Sequence, residues 1–211
     1  MLQPEQIQQN WELFMNNIST FISGDRQKRL LHFYNHFQDR FILMPASYKP
    51  QYHNCFPGGY VDHVNRVLKI ALETKKIWTD NSDEIVTDEE IAFVAINHDL
   101  GKFGTIEEPS YIPNTSEWHI KNRGELYAFN SKLEYMAVPD RSIYLLNQLK
   151  VPMSQKEYLG IKLHDGLYDE ANKSYFINYA PETKLRTSIP FIIHHADLTA
   201  SRIEFMKVNK F

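Results

Sequence analysis

The chain has 211 residues, 43% of them hydrophobic and 23% charged, with a formal net charge of -3. This length allows one sizeable hydrophobic core, and the acidic balance argues against a dedicated nucleic-acid-binding protein, which normally carries a basic face. No apolar stretch approaches the roughly 18 residues that span a bilayer, and the N-terminus lacks a signal-peptide pattern. The single cysteine, Cys55, excludes an internal disulfide and fits a reducing compartment. We therefore expect a cytoplasmic protein without a membrane partner.

The first fifth of the chain predicts two amphipathic helices. Apolar residues recur at gaps of three and four over residues 4–22 and again over residues 25–43, which is the period of a helix with one buried face. Met44-Pro45 ends the second helix. A loop rich in tyrosine, proline and glycine follows over residues 45–59.

The middle of the chain predicts two helices and then an irregular segment. Residues 60–78 keep the helical period. The sequence Thr87-Asp88-Glu89-Glu90 matches a capping box, in which Thr87 caps the helix and Glu90 reaches back. A buried helix is therefore predicted over residues 91–97. Residues 103–121 contain one glycine and two prolines that interrupt any long element, so this segment is expected to be irregular.

The last third of the chain is also predicted to be mainly helical. Residues 124–135 and 141–149 are short helix candidates, and a second capping-box pattern at residues 154–157 begins another helix. Within the polar and aromatic segment 168–184, residues 175–177 are the strand-like piece. Residues 187–206 predict a long buried helix, with Pro190 tolerated in its first turn. Because no repeat or linker is visible, we predict a single all-α domain over residues 1–211.

The most informative residues are the adjacent His98 and Asp99, which end the apolar run over residues 91–97. A carboxylate buried beside an imidazole is costly unless it is paired or binds a metal ion. Imidazole nitrogen together with carboxylate oxygen suits Mn, Fe, Co, Ni or Zn better than Ca. A divalent metal site is therefore predicted, with Mg as a further choice of ion.

The order His63, His98-Asp99 and Asp197 resembles the signature of the HD-domain metal-dependent phosphohydrolase superfamily. The runs Gly58-Gly59-Tyr60-Val61-Asp62-His63 and His98-Asp99-Leu100-Gly101-Lys102 are similar to a branch that includes the HD domain of bacterial 3′→5′ exoribonucleases and nucleotide hydrolases. The resemblance covers residues 50–206 and leaves the helices in residues 1–49 outside it. It implies an HD-domain helical bundle with a metal pocket between helices, in which His63, His98, Asp99 and Asp197 hold the ion.

The resemblance also implies roles around the ion. Asp99 is expected to bind the metal and to orient the attacking water. Lys102, which lies one turn from the His98-Asp99 pair, is predicted to act in catalysis by neutralising charge on the substrate phosphate. Arg66, one turn past His63 on the same helix face, is predicted to do the same. Arg123 is a candidate phosphate ligand or a structural ion-pair partner.

Whether one or two ions bind depends on further histidines. Where the branch normally has a histidine, this chain has Phe129, which cannot bind metal. His164 and His119 are candidates either for a second metal ion or for contacts to the primary ligands. We expect a single ion.

The predicted activity is hydrolysis of a phosphate ester or anhydride in a nucleotide or other small phosphorylated substrate. One alternative is a phosphodiesterase or 3′→5′ exonuclease that acts on RNA or DNA, and a second is a catalytically silent nucleotide- or metal-binding module. A two-iron oxygenase would require the extra ligands that Phe129 removes. The N-terminal aromatic residues predict helix packing or the surface of a homo-oligomer: Trp11, Phe14, Phe33, Tyr34 and Phe37.

Overall fold

A computed structural model of the chain describes residues 2–209, with side chains to residue 207. Within this range the chain forms ten α-helices, four short 3₁₀ turns and one small antiparallel sheet, so the all-α prediction is confirmed. In the same range, no helix is both long and apolar enough to cross a membrane. Met1, Lys210 and Phe211, which belong to the predicted domain, lie outside the described residues.

The elements follow one another along the chain with short connections. The helices are α1 (Pro4–Phe21), α2 (Gly24–His36), α3 (Gln38–Leu43), α4 (Gly59–Asn81), α5 (Asp88–Asn97), α6 (Glu117–Arg123), α7 (Val138–Gln148), α8 (Gln155–Lys162), α9 (Lys173–Phe176) and α10 (Ile189–Asn209). The strands are β1 (Tyr111–Pro113) and β2 (Tyr127–Phe129), which pair antiparallel with Tyr111 opposite Phe129.

The N-terminal helices cover one side of the core with aromatic side chains. The single helix predicted over residues 25–43 is interrupted at Phe37, whose φ of -107° and ψ of 23° separate α2 from α3. This break lets both helices face the core, because Phe33 of α2 and Phe41 of α3 contact the same ring of Phe103. The N-terminal aromatic residues, with Trp11 among them, pack inside the protein.

Four helices form the centre of the molecule. α10 packs along α4, α5 packs against α4, and α8 contacts both α5 and α10. Both predicted capping boxes are present: Thr87 begins α5 and Ser154 begins α8, each accepting a hydrogen bond from the backbone of the third helical residue. The apolar residues of α5 are fully buried, so this helix lies in the middle of the core.

Three further local predictions differ from the structure. Gly124, with φ of 64°, ends α6 instead of beginning a helix over residues 124–135, and part of that segment forms β2. Residues 173–176 form α9, not a strand. The segment 103–121, predicted to be irregular, contains β1 and the start of α6. Pairing between β1 and β2 joins separate segments, so local periodicity does not reveal it.

Candidate metal centre

The predicted ligands come from separate elements and meet in the interior. His63 lies in α4, Asp197 in α10, and the His98-Asp99 pair follows α5 directly. Nε2 of His63 is 3.1 Å from Oδ1 of Asp197 and 3.5 Å from Oδ2 of Asp99. Nε2 of His98 is 3.4 Å from the same Asp99 oxygen. Packing of α4, α5 and α10 therefore brings together all four residues of the predicted ligand set.

Two histidines of the centre are fixed by the ends of the helices that precede them. Nδ1 of His98 donates to the carbonyl oxygen of Ala95 at 2.8 Å, and Nδ1 of His164 donates to the carbonyl oxygen of Ile161 at 2.8 Å. A carbonyl oxygen only accepts, so the proton of each neutral ring is on Nδ1. Each ring therefore presents the lone pair of Nε2, the form in which imidazole binds a metal ion.

The third histidine, His63, is fixed by a side chain. Its Nδ1 lies 3.2 Å and 3.1 Å from the two carboxylate oxygens of Glu204, which is only 1% exposed. A carboxylate that accepts from Nδ1 leaves Nε2 free to bind a metal ion, as in the carboxylate–histidine pairs of metal sites. The Nε2 atoms of His63, His98 and His164 are thus all presented by anchoring at Nδ1.

The donor atoms fit a divalent ion. Nε2 of His63 and Nε2 of His98 are buried and have no hydrogen-bond partner among the residues that the structure describes, although carboxylate oxygens lie close by. Such unsatisfied buried polar atoms are rare and point to an unseen partner. Two ligand atoms about 2.1 Å from one ion lie about 3.0 Å apart at right angles and about 3.4 Å apart in a tetrahedron, which is the spacing found here. His98, His164 and Asp197 also form a group with ligand atoms within 4.8 Å of one another.

The electrostatics of the centre favour positive charge. Burial lowers the pKa of His63, but the carboxylates of Glu204 and Asp197 outweigh burial and raise this pKa above its usual value, to about 10. Burial raises the pKa of Asp99, but Lys102 and His98 hold it well below its usual value. Asp99 is therefore ionised. A metal ion held by His63 would supply, in place of a proton, the positive charge that these carboxylates favour.

A cleft leads from the surface to the centre. It consists of a larger cavity of about 570 Å³ and a smaller one of about 440 Å³, which share His53, Asp165, Tyr168 and Asp197 in their walls. Asp99, Lys102 and His164 line the smaller cavity. Nζ of Lys102 lies 2.5 Å from Oδ2 of Asp99, so this cation reaches the centre as its position in the sequence predicted.

Arg66 lies near the centre but lines neither cavity. Its Nη1 donates to Oδ2 of Asp62 at 2.8 Å and to Oε1 of Glu204 at 2.5 Å. Glu204 in turn contacts Nδ1 of His63, the ring nitrogen that faces away from Asp99 and Asp197. The structure therefore places Arg66 behind His63, where it holds Glu204 and does not face the cleft.

Two further predicted residues are not brought to the centre, since both belong to α6 and line neither cavity. Nδ1 of His119 is 2.7 Å from the hydroxyl oxygen of Ser116. The guanidinium of Arg123 stacks over the ring of Trp118 at 5.1 Å, and its side chain is 57% exposed. Phe129, at the position where a histidine was expected, lies on β2 and is 40% exposed.

Two residues of the centre were missed in the sequence. Glu204 follows Asp197 by two helical turns, so it lies on the same face of α10; this spacing could have revealed it. His53 lies in the loop before α4, with its ring 4.6 Å from that of His63 and its Nε2 buried without a partner. Burial, and then the charges of His63 and Lys102, lower the pKa of His53 to about 3. No local pattern singles out a loop histidine of this kind.

Comparison of the chain with protein-family models, with curated proteins and with solved structures finds no match. The class of the protein is therefore defined by its own geometry. It is an all-α protein in which buried histidines and carboxylates from four segments can hold a metal ion. This centre lies at the base of a cleft whose walls carry both acidic and basic side chains.

Proposed function

We propose that the protein is a metal-dependent phosphohydrolase of the HD-domain superfamily that cleaves a phosphate ester or anhydride of a nucleotide-like substrate. One observation carries the proposal. Three histidines are anchored at Nδ1 so that their Nε2 atoms converge with Asp99 and Asp197 at the base of an open cleft. The order of these residues along the chain is the order that the resemblance to that superfamily requires.

The ligands of a single divalent ion would be His63, His98, Asp99 and Asp197. Mn, Co, Ni, Fe, Zn and Mg all accept such nitrogen and oxygen donors. When bound, the ion activates a water molecule and polarises a phosphoryl oxygen. His164, whose Nε2 is 3.7 Å from Oδ1 of Asp99, is a further donor for the same ion or for a second one.

Asp99 and Lys102 supply the remaining parts of the reaction. Oδ2 of Asp99 faces His63, His98 and the Lys102 ammonium, whereas Oδ1 faces His164. One carboxylate oxygen can therefore bind the ion while the other orients the attacking water. Burial lowers the pKa of Lys102, but Asp99 raises it above its usual value, so the ammonium stays charged and stabilises negative charge on the phosphoryl oxygens.

The experiment that tests the proposal measures metal content and turnover together. The purified protein is analysed for bound metal, and phosphate release is then followed from nucleoside mono- and triphosphates with Mn, Co, Ni or Mg added. We expect metal-dependent release by the wild type. Asp99→Ala and the more conservative Asp197→Asn should lose both bound metal and turnover.

The matched control is His32→Ala, since His32 is an exposed histidine outside the centre and its loss should change neither quantity. Retained turnover in both Asp99→Ala and Asp197→Asn would contradict the ligand assignment. A wild type that holds metal but releases phosphate from no nucleotide would point to the alternatives, a phosphodiesterase or a silent binding module. Cleavage of a phosphodiester substrate would then distinguish between these two.

A further inference from the structure

The cleft above the centre is divided into two parts of different character. The larger lobe is the cavity of about 570 Å³ and the smaller lobe is the cavity of about 440 Å³. A ligand held at the centre can extend into either lobe, because the two lobes share four wall residues: His53, Asp165, Tyr168 and Asp197. The side chains of each lobe therefore indicate which part of a substrate it accepts.

The charges that line the cleft are mainly negative. Among the described residues, the smaller lobe has Lys102 as its cation and the larger lobe has Arg202. Four carboxylates oppose these two cations: Asp99, Asp165, Asp169 and Asp197. The histidines that bind a metal ion do so in their neutral form. One divalent ion therefore brings the lining of the cleft close to neutrality, and no surplus of positive charge remains.

This balance limits how many phosphate groups the cleft can take. A phosphate monoester carries about two negative charges, which the metal ion and Lys102 can face directly. Lys102 is already paired with Asp99 at 2.5 Å. A second and a third phosphate would extend the negative charge toward Asp165 and Asp169, where like charges repel. The phosphate chain of a nucleic acid would meet the same repulsion.

The larger lobe has the features of a site for a planar ring. Tyr52 and Tyr168 line it and are 54% and 71% exposed, so much of each side chain is accessible to a ligand. Phe205 lines the same lobe, and Gln51 and Arg202 supply polar groups at its wall. Aromatic side chains with nearby arginine or amide groups are the combination on which nucleobases stack and form hydrogen bonds.

We infer that the substrate is a nucleoside monophosphate, with its single phosphate at the metal centre and its base in the larger lobe. This inference rests on the proposed function, because it assigns the substrate of that same centre. It predicts that selectivity against di- and triphosphates arises from the carboxylates of the cleft. It also predicts that a phosphate ester without a base binds poorly.

The test uses the full-length protein loaded with Mn and one nucleoside as its mono-, di- and triphosphate. We expect kcat/KM for the monophosphate to exceed that for the triphosphate by about tenfold or more, from the repulsion between like charges. Ribose 5-phosphate, which lacks the base, should be turned over with a kcat/KM at least about tenfold lower than the monophosphate, because base stacking is lost.

The charge argument is tested separately with Asp169→Asn. Asn keeps the cap that Asp169 provides to the backbone N–H of Ala171 but removes one negative charge from the smaller lobe. The preference for the monophosphate over the triphosphate should fall by about threefold or more. The control is Asp88→Asn, since Asp88 is exposed, pairs with Lys75 and lies outside the cleft; it should leave the preference unchanged.

The outcomes separate the inference from the proposed function. Metal-dependent turnover that favours the triphosphate would overturn the inference and leave the phosphohydrolase intact. Equal turnover of ribose 5-phosphate and the nucleoside monophosphate would overturn the placement of the base in the larger lobe. Absence of release from every phosphate ester would overturn the proposed function, and the inference with it.

Discussion

The clearest quantitative prediction concerns Glu204, which anchors His63 from behind. We predict that Glu204→Gln lowers the affinity for the metal ion about tenfold and that Glu204→Ala lowers it about a hundredfold. Gln keeps the volume of the side chain, and its carbonyl oxygen can still accept from Nδ1 of His63. Ala removes the acceptor altogether, so the ring is no longer held in the metal-binding tautomer.

The magnitude follows from the contacts. Loss of a hydrogen-bonding partner behind a metal ligand typically weakens metal binding by about 10- to 100-fold, or about 1.4 to 2.8 kcal/mol. Glu204 is 1% exposed and contacts Nδ1 of His63 with both oxygens. Glu204→Gln keeps one accepting oxygen and loses the negative charge, whereas Glu204→Ala loses both oxygens. Arg66 loses the Glu204 carboxylate in both variants and keeps Asp62 at 2.8 Å, so the smaller effect expected for Gln comes from the acceptor that it still offers to His63.

Calorimetric titration of Mn into metal-stripped protein measures the effect directly. Glu157→Gln is a matched control, because Glu157 is equally buried and accepts from an arginine, Arg26, at 2.8 Å, but it lies at the start of α8, away from the ligands. This control should lower the free energy of unfolding and leave metal affinity unchanged. Wild-type affinity in Glu204→Ala, with the fold intact, would refute the reasoning.

Three further predictions concern stability and are checked by urea unfolding. Phe103→Ala should lower the free energy of unfolding by about 3–5 kcal/mol, because Phe103 is fully buried among aromatic rings; a loss near 1 kcal/mol would contradict its place in the core. Gly59→Ala should cost about 3 kcal/mol, since its Cβ would lie close to the carbonyl oxygen of Asn54; an unchanged midpoint would contradict this contact. Burial raises the pKa of Glu89, but its bonds with Arg26 lower it below the usual 4.5. Wild type should therefore be more stable than Glu89→Gln above about pH 4.5 and lose this advantage as the pH falls through the lowered pKa; an advantage that does not shrink on acidification would contradict it.

The helices were predictable where local chemistry determines them. The capping boxes at Thr87 and Ser154 were visible in the sequence and are present in the structure, because both partners of each box lie within four residues. The break at Phe37 was not predictable, since the apolar period runs through it and contacts with Phe103 come from a distant segment. Strand β2 escaped prediction for the same reason, as only its pairing with β1 defines it.

The candidate site could be predicted in part. The proposed ligand set was visible because His98 and Asp99 are adjacent in a buried segment and the order of His63, this pair and Asp197 matched a familiar pattern. The role of Arg66 depends on which face of α4 is turned toward the cleft. The helical period alone does not show how the helix is rotated about its axis. His53 depends on the path of an irregular loop, in which Asn54 has a φ of 43°, and no periodic signal describes such a path.

The way in which the three histidines are anchored makes the centre unequally tolerant of mutation. Two anchors are main-chain carbonyl oxygens, those of Ala95 and Ile161. Replacing the side chain at either position leaves the carbonyl acceptor itself in the chain, so the chemical identity of these two anchors does not depend on the residue type. The third anchor is a side chain, Glu204. Variation at this one position would give evolution, or a protein engineer, a means to adjust how tightly a metal ion is held without altering any of the proposed ligands.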